Sequence, residues 1–249
     1  MFEKRVIPCL QLMNGSLVKT EKFNKYKYIG DPINTCRIFN ELEVDEMIIL
    51  DIRASLEKHE PDFDLLSLIA GECFMPLAYG GGIKNFNQAK EIFSLGYEKV
   101  ILNSVLYENP DIIGEIANVY GSQSVVASVD VKKDIFLNYR LFSCSAKKKQ
   151  KISLIEWIKE LQNRGVGEIM ITDIDHEGTW SGYNYNLVKL VTENSNVPVI
   201  AHGGAGKKSD VEKVINDAGA YAAAAGSMFV FQGKDLGVLI NYDKDYRFR

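Results

Sequence analysis

The chain has 249 residues, with 29 Lys plus Arg against 33 Asp plus Glu, 3 His and a formal net charge of -4. Hydrophobic residues make up 46% and charged residues 25%, enough to bury a sizeable core, which excludes disordered and collagen-like chains. The acidic total does not indicate a nucleic-acid binder, and no apolar run nears the roughly 20 residues of a membrane helix.

Met1–Leu12 is too short and too quickly polar for a signal peptide. Cys9, Cys36, Cys73 and Cys144 are widely spaced with no Cys-x-x-Cys pair, and His59, His176 and His202 show no ligand spacing. The expectation is a reduced, cytoplasmic protein that holds no metal and no cofactor.

In chain order, short apolar runs predict strands at Arg5–Leu10, Met47–Asp51, Met75–Tyr79, Lys99–Leu102, Ser124–Asp130, Ile169–Asp173, Val197–Ala201 and Tyr221–Ala225. Between them the helical patterns include Asn34–Leu42, Asn87–Leu95, Leu154–Arg164 and Ser209–Ala218. Eight alternations at this length predict an α/β fold, a (β/α)8 TIM barrel, with an open doubly wound sheet as the competitor.

Spacing favours the barrel. Strand centres lie about 42, 29 and 23 residues apart in the first half and about 44, 29 and 24 in the second. Residues repeat as well: Val44–Ile52 lines up with Val166–Ile174, and Met75–Gly82 with Val197–Gly204. No linker or composition break interrupts residues 1–249. The expectation is one domain built from half-barrels of about residues 1–122 and 123–249.

Gly80-Gly81-Gly82-Ile83 follows the third strand and Gly203-Gly204-Ala205-Gly206 the seventh. Glycines let backbone N–H groups approach an anion. The next strands end in Asn103-Ser104 and Gly226-Ser227, adding hydroxyls, an amide and a helix start to the same edges. Tight turns explain one such loop; two in symmetric positions point to a ligand with phosphate at both ends.

Asp130 ends the fifth strand, where barrels do their chemistry, as a candidate general acid or base; an N-cap or loop salt bridge is the plainer role. Its twofold mate is Gln11, which hydrogen-bonds but exchanges no proton near neutral pH. Lys19, Asp51, Thr172, Asp173, Asp175 and Glu177 occupy other strand ends or loops; Lys19 is either a phosphate clamp or a solvated lysine. Lys147-Lys148-Lys149 with Lys151 reads as a solvated flexible loop.

Side chains two apart share a strand face. If Gln11 and Asp130 face the mouth, Arg5, Glu46, Lys99 and Glu168 face the interior at the opposite end, beneath Ile7, Ile48, Ile101 and Met170. Strand starts are often charged because they are exposed. The alternative is a gated floor at net zero charge under an apolar conduit for a small neutral molecule.

Lys4-Arg5-Val-Ile-Pro-Cys9-Leu10, Gly30-Asp31-Pro32, Leu50-Asp51-Ile52-x-Ala54-Ser55, Asn109-Pro110, Gly121-Ser122-Gln123, Asp173-Ile174-Asp175-x-x-Gly178-Thr179-x-Ser181-Gly182-Tyr183 and both glycine loops together are similar to one family. It is the cyclase subunit of imidazole glycerol phosphate synthase, the histidine-pathway glutamine amidotransferase, and the resemblance spans residues 1–231. It implies a lyase-type barrel docked through its N-terminal face on a glutaminase subunit, whose ammonia crosses the barrel to a phosphorylated small-molecule substrate. The implied gate is Arg5, Glu46, Lys99 and Glu168. The implied phosphate and substrate contacts are Lys19, Gly81, Gly82, Asn103, Ser104, Thr172, Glu177, Gly203, Gly204, Gly226 and Ser227. The family's two catalytic aspartates fall on Asp130 and Gln11.

Gln11 departs from that pattern, Glu177 stands where Asp is usual, and the tail after Phe231 replaces a terminal helix. Imidazole-ring closure should therefore be severely slowed. The chain also resembles paralogues associated with surface-polysaccharide sugars, implying that ammonia turns an acetamido group into an acetamidino group with a separate ATP-using amidotransferase. The alternatives are the authentic histidine-pathway cyclase, a non-catalytic ammonia conduit or scaffold, and a sugar-phosphate isomerase of the sister barrel family.

Overall fold

The computed structural model describes residues 4–232, 237–243 and 246. Eight parallel strands are β1 (Arg5–Met13), β2 (Met47–Asp51), β3 (Leu77–Gly80), β4 (Lys99–Leu102), β5 (Val125–Lys133), β6 (Glu168–Asp173), β7 (Val199–His202) and β8 (Ala222–Ala225). Each pairs with the next. β8 returns to β1, with Arg5 opposite Ala222 and Pro8 opposite Ala225. Closure leaves no sheet edge, which decides for the (β/α)8 barrel over the open sheet.

Among the described residues, seven helices of eight or more residues pack outside: α1 (Pro32–Glu41), α2 (Phe63–Gly71), α3 (Phe86–Ser94), α4 (Ile112–Tyr120), α5 (Leu154–Asn163), α6 (Tyr185–Thr192) and α7 (Lys208–Asn216). Local chemistry starts them. Asp31 accepts from Asn34 N at 2.8 Å with Pro32 just inside α1, and Ser153 with Glu156 forms a capping box on α5. Among the described residues no helix is long and apolar enough to cross a membrane.

Alternation along the strands makes two cores. Val6 and Leu10 point outward to the helices, whereas Ile7 and Cys9 point inward with Ile48, Ala78, Ile101, Val126, Met170, Ile200, Ala222 and Ala224. This inner apolar layer is small and lies between the strand starts and the polar ends of the strands.

Several predicted bounds move. β1 runs on to Met13 and pairs with a hairpin, Ser16–Glu21 and Lys25–Gly30. β5 runs on to Lys133 and pairs with Tyr139–Ser143. Lys148-Lys149, read as part of a flexible loop, pairs instead with Phe142-Ser143. β3 and β7 begin two residues later than expected, because Pro76 and Pro198 have no N–H to give a ladder. In the tail, Phe231-Gln232 pairs with Gly237-Val238, and Tyr242 donates its hydroxyl to Val6 O at 3.2 Å. Residues 233–236 of that tail lie outside the described residues.

Candidate functional site

At the N-terminal end of the barrel, four charges from four strand starts meet on the axis. Arg5 reaches Glu46 at 2.5 Å and Glu168 at 2.8 Å; Lys99 reaches Glu46 at 2.8 Å and Glu168 at 3.3 Å. Each cation touches both anions, so the ring is neutral and internally paired, which partly offsets the cost of its burial. The side chain of Glu46 is only 4% exposed and that of Arg5, the most open, 20%. Outside the ring lies a concavity of about 560 Å³ bordered by Arg5, Gln123, Glu168 and Tyr221. Directly above the ring is the apolar inner core, as strand parity requires.

The other end carries the polar mouth. Asp130 on β5 is buried and accepts from Asn103 Nδ2 at 2.9 Å and Ser128 Oγ at 3.4 Å, with Thr172 opposite it on the neighbouring strand. Burial outweighs these hydrogen bonds and pushes its carboxyl up to about 7. A carboxyl in that range donates and accepts protons with equal ease at neutral pH.

Gln11 is fully engaged. Its Nε2 donates to Glu177 at 3.0 Å, and its Oε1 accepts from Thr20 N at 2.9 Å and Thr20 Oγ1 at 3.0 Å. Glu177 is wholly buried, pairs with the Lys19 ammonium and accepts from Phe23 N at 3.1 Å. Burial would raise its carboxyl, but Lys19 and the hydrogen bonds hold it below the ordinary value. The longer Glu thus ties the loop after β1 to the loop after β6.

That pairing makes the two glycine corners unequal. Beside Gly81, Gly82, Asn103 and Ser104 is a cavity of about 80 Å³ that also takes in Asp130 and Thr172. Beside Gly203, Gly204, Gly226 and Ser227 the space is about 10 Å³, roughly one water molecule, with Lys19 and Glu177 in its wall. The Lys19 stem lies so close that a Cβ on Gly226 would stand 3.1 Å from its Cε. Lys19 is therefore not a solvated lysine: it is 8% exposed and paired with Glu177.

The glycines also have a reason that needs no ligand. Gly81 has φ +124° and a Cβ there would meet Asp51 O at 2.5 Å; at Gly204, φ +110°, it would meet Gly182 O at 2.1 Å. Asp51 and Asp173 turn away from the barrel axis: Asp51 accepts from Arg53 N and Ala54 N, and Asp173 from Asn184 Nδ2 at 2.5 Å and Asp175 N at 2.8 Å. Asp175 takes Lys133 N at 3.3 Å.

Sequence reasoning passed over four mouth residues. Ser128 and Ser145 line the open corner, where Ser145 sits in three consecutive left-handed residues, Cys144 to Ala146. Its hydroxyl donates to Ile52 O, and Cys144 N donates to Ser104 Oγ at 3.1 Å. Thr20 bonds both Gln11 and Glu177. His202 ends β7, buried, with Nδ1 3.1 Å from Thr172 Oγ1. Its signal was present: in the half-barrel alignment it stands opposite Gly80, a departure from the repeat.

A closed (β/α)8 barrel with a neutral-range carboxyl at the C-terminal ends of its strands is the architecture of a barrel whose chemistry is done at its mouth. The profile of the family described as "Histidine biosynthesis protein" matches residues 5–235, and the chain belongs to that family. It is 48% identical over 242 residues to a Pseudomonas aeruginosa protein provisionally named imidazole glycerol phosphate synthase subunit hisF2, covering 97% of this chain and 96% of that one. A Vibrio vulnificus protein, provisionally named subunit hisF3 of the same synthase, is 47% identical over 243 residues, covering 97% and 94%. The imidazole glycerol phosphate synthase subunit HisF of Natranaerobius thermophilus is 37% identical over 242 residues, covering 97% and 96%.

Proposed function

We propose that this barrel receives ammonia from a glutaminase docked on its N-terminal face and delivers it to an acceptor at its mouth. One observation carries the reading: a neutral, mutually paired ring of Arg5, Glu46, Lys99 and Glu168 closes the floor beneath an apolar layer that includes Ile7, Ile48, Ile101 and Met170. Ammonia is small and uncharged, so an apolar passage costs it little, whereas ammonium would be held back by desolvation. The concavity beneath the ring supplies a surface for a partner. Gly81, Gly82, Asn103 and Ser104 then receive the acceptor's phosphate, and Asp130 exchanges protons with the reacting nitrogen.

Gln11 argues that the acceptor is not the imidazole precursor. Ring closure by paired carboxylates loses about 10²–10⁴-fold when one proton-transfer group is removed. The proposed reaction is amidation of a surface-polysaccharide sugar, acetamido to acetamidino, with an ATP-using amidotransferase activating the amide oxygen for departure.

The test mixes the barrel with its glutaminase, glutamine and the phosphoribulosyl substrate. Little or no ring product is expected. Near-normal turnover would favour the authentic histidine-pathway cyclase, a reading that the neutral-range carboxyl of Asp130 supports. In the same complex, Lys99→Met should leave glutamine hydrolysis running while ammonia escapes to the medium. If transfer stays coupled to hydrolysis, the ring is no gate.

A further inference from the structure

We infer that Asp130, Thr172 and His202 form a proton relay across the mouth, in which His202 supplies the second proton-transfer position that Gln11 cannot. The inference rests on the reading of the mouth as the reaction site. Three adjacent strands carry the relay at one level: Thr172 lies opposite Asp130 on β5 and opposite His202 on β7. All three are buried, at 5%, 1% and 5% exposure. Thr172 Oγ1 is 3.1 Å from His202 Nδ1, and Thr172 stands opposite Asp130 in the strand pairing, which sets its hydroxyl beside the Asp130 carboxyl.

A threonine hydroxyl has one proton to give. If Thr172 donates to the Asp130 carboxylate, it accepts from Nδ1–H, and the imidazole proton is on Nδ1. If Asp130 is protonated and donates to Thr172, the hydroxyl donates to Nδ1, and the imidazole proton is on Nε2. The two arrangements differ by one proton and by the histidine tautomer. The proton leaves Asp130 for Thr172 Oγ1, the Thr172 proton passes to Nδ1, and the Nε2 proton is released; the reverse sequence takes a proton up at Nε2 and stores it on Asp130. No charge need settle on the ring, and burial disfavours an imidazolium there, holding the His202 pKa down to about 4.

Nδ1 is committed to Thr172, so Nε2 is the nitrogen left for a guest. The ring borders the cavity of about 10 Å³ beside Gly203 and Gly204, room for one water-sized molecule such as ammonia. The charged groups that face the relay are Glu177 and Lys19 on the His202 side; Tyr107 and Glu177 act on Asp130. Glu177 and Lys19 are paired with each other, so Asp130 is the group whose ionisation sets the tautomer.

The experiment is long-range proton–nitrogen NMR on the whole chain labelled with 15N-histidine, from about pH 5 to about pH 9. With 3 histidines in the chain, the His202→Gln spectrum assigns the signal. His202 should stay neutral throughout and switch from Nε2–H to Nδ1–H as pH rises through the Asp130 value of about 7. Thr172→Ser should keep the switch. Thr172→Val and Asp130→Asn should abolish it while the other two histidines titrate as before. A single His202 tautomer across the range, or a switch that survives Thr172→Val, overturns the relay and leaves ammonia delivery standing. A switch present in a complex that transfers no ammonia upholds the relay and overturns the delivery reading instead.

Discussion

The two glycine corners share one sequence pattern and differ in what fills them. At the β3–β4 corner Phe23 of the loop after β1 lines the site without filling it, and a cavity of about 80 Å³ joins Ser104 to Asp130. At the β7–β8 corner the Lys19 stem lies against Gly226 and its ammonium is locked to Glu177, leaving about 10 Å³. Matching loops therefore do not make matching sites: occupancy is decided by a side chain arriving from elsewhere. The two corners expected to hold a ligand with phosphate at both ends differ in free space, and the open one is the larger.

The lock is the place to break this contrast hardest. Glu177→Leu leaves the Lys19 ammonium buried without its carboxylate and should cost about 3–5 kcal/mol in urea unfolding, most of it recovered in Lys19→Met with Glu177→Leu. If the single substitution is nearly neutral, the corner is not held shut by that pair.

The open corner is sharpened by pH. The Asp130 carboxyl titrates at about 7 in the fold against 3.8 ordinarily, so between those values the folded chain holds a proton that the unfolded chain has lost. Stability from this group is complete below about pH 4 and is lost as pH rises towards 7. Asp130→Asn, which cannot ionise, should remove that fall and gain up to about 3 kcal/mol above pH 7, after a discount for relaxation around the charge. Parallel stability–pH curves for wild type and variant would contradict the burial argument. His202 has the opposite sign: its pKa is depressed to about 4, so its contribution is present above 6.5 and lost as pH falls towards 4.

The smallest effect is the most discriminating. In calorimetric titration with inorganic phosphate, Ser104→Ala should weaken binding about tenfold, roughly 1.4 kcal/mol for one hydrogen bond to an anion. Ser227→Ala, at the filled corner, should change nothing. Equal losses would restore two working anion sites.

Much of this was legible in the chain because strand patterns are local. Period-two alternation put Arg5 below Ile7 and Lys99 below Ile101, and the charge ring followed from counting residues. The His202 departure was legible too, as a mismatch with Gly80, yet its meaning was not: Thr172 lies 30 residues away and meets it only through strand pairing. The hairpin after β1 was missed because its polar strand, Lys25–Gly30, buries only Ile29 fully and so carries no apolar run.

The sequence alone pointed to eight alternating strands with helical segments between them, a half-barrel repeat, four charges at strand starts and a mouth with one carboxyl where the repeat expects two. The tertiary structure decided what that mouth can hold. Lys19 and Glu177 are 158 residues apart, and whether the lysine clamps a ligand or is consumed by its own chain depends on two loops meeting over a glycine. Burial patterns record which way a side chain leaves its strand; they do not record how far a flexible lysine reaches or which buried charge stops it.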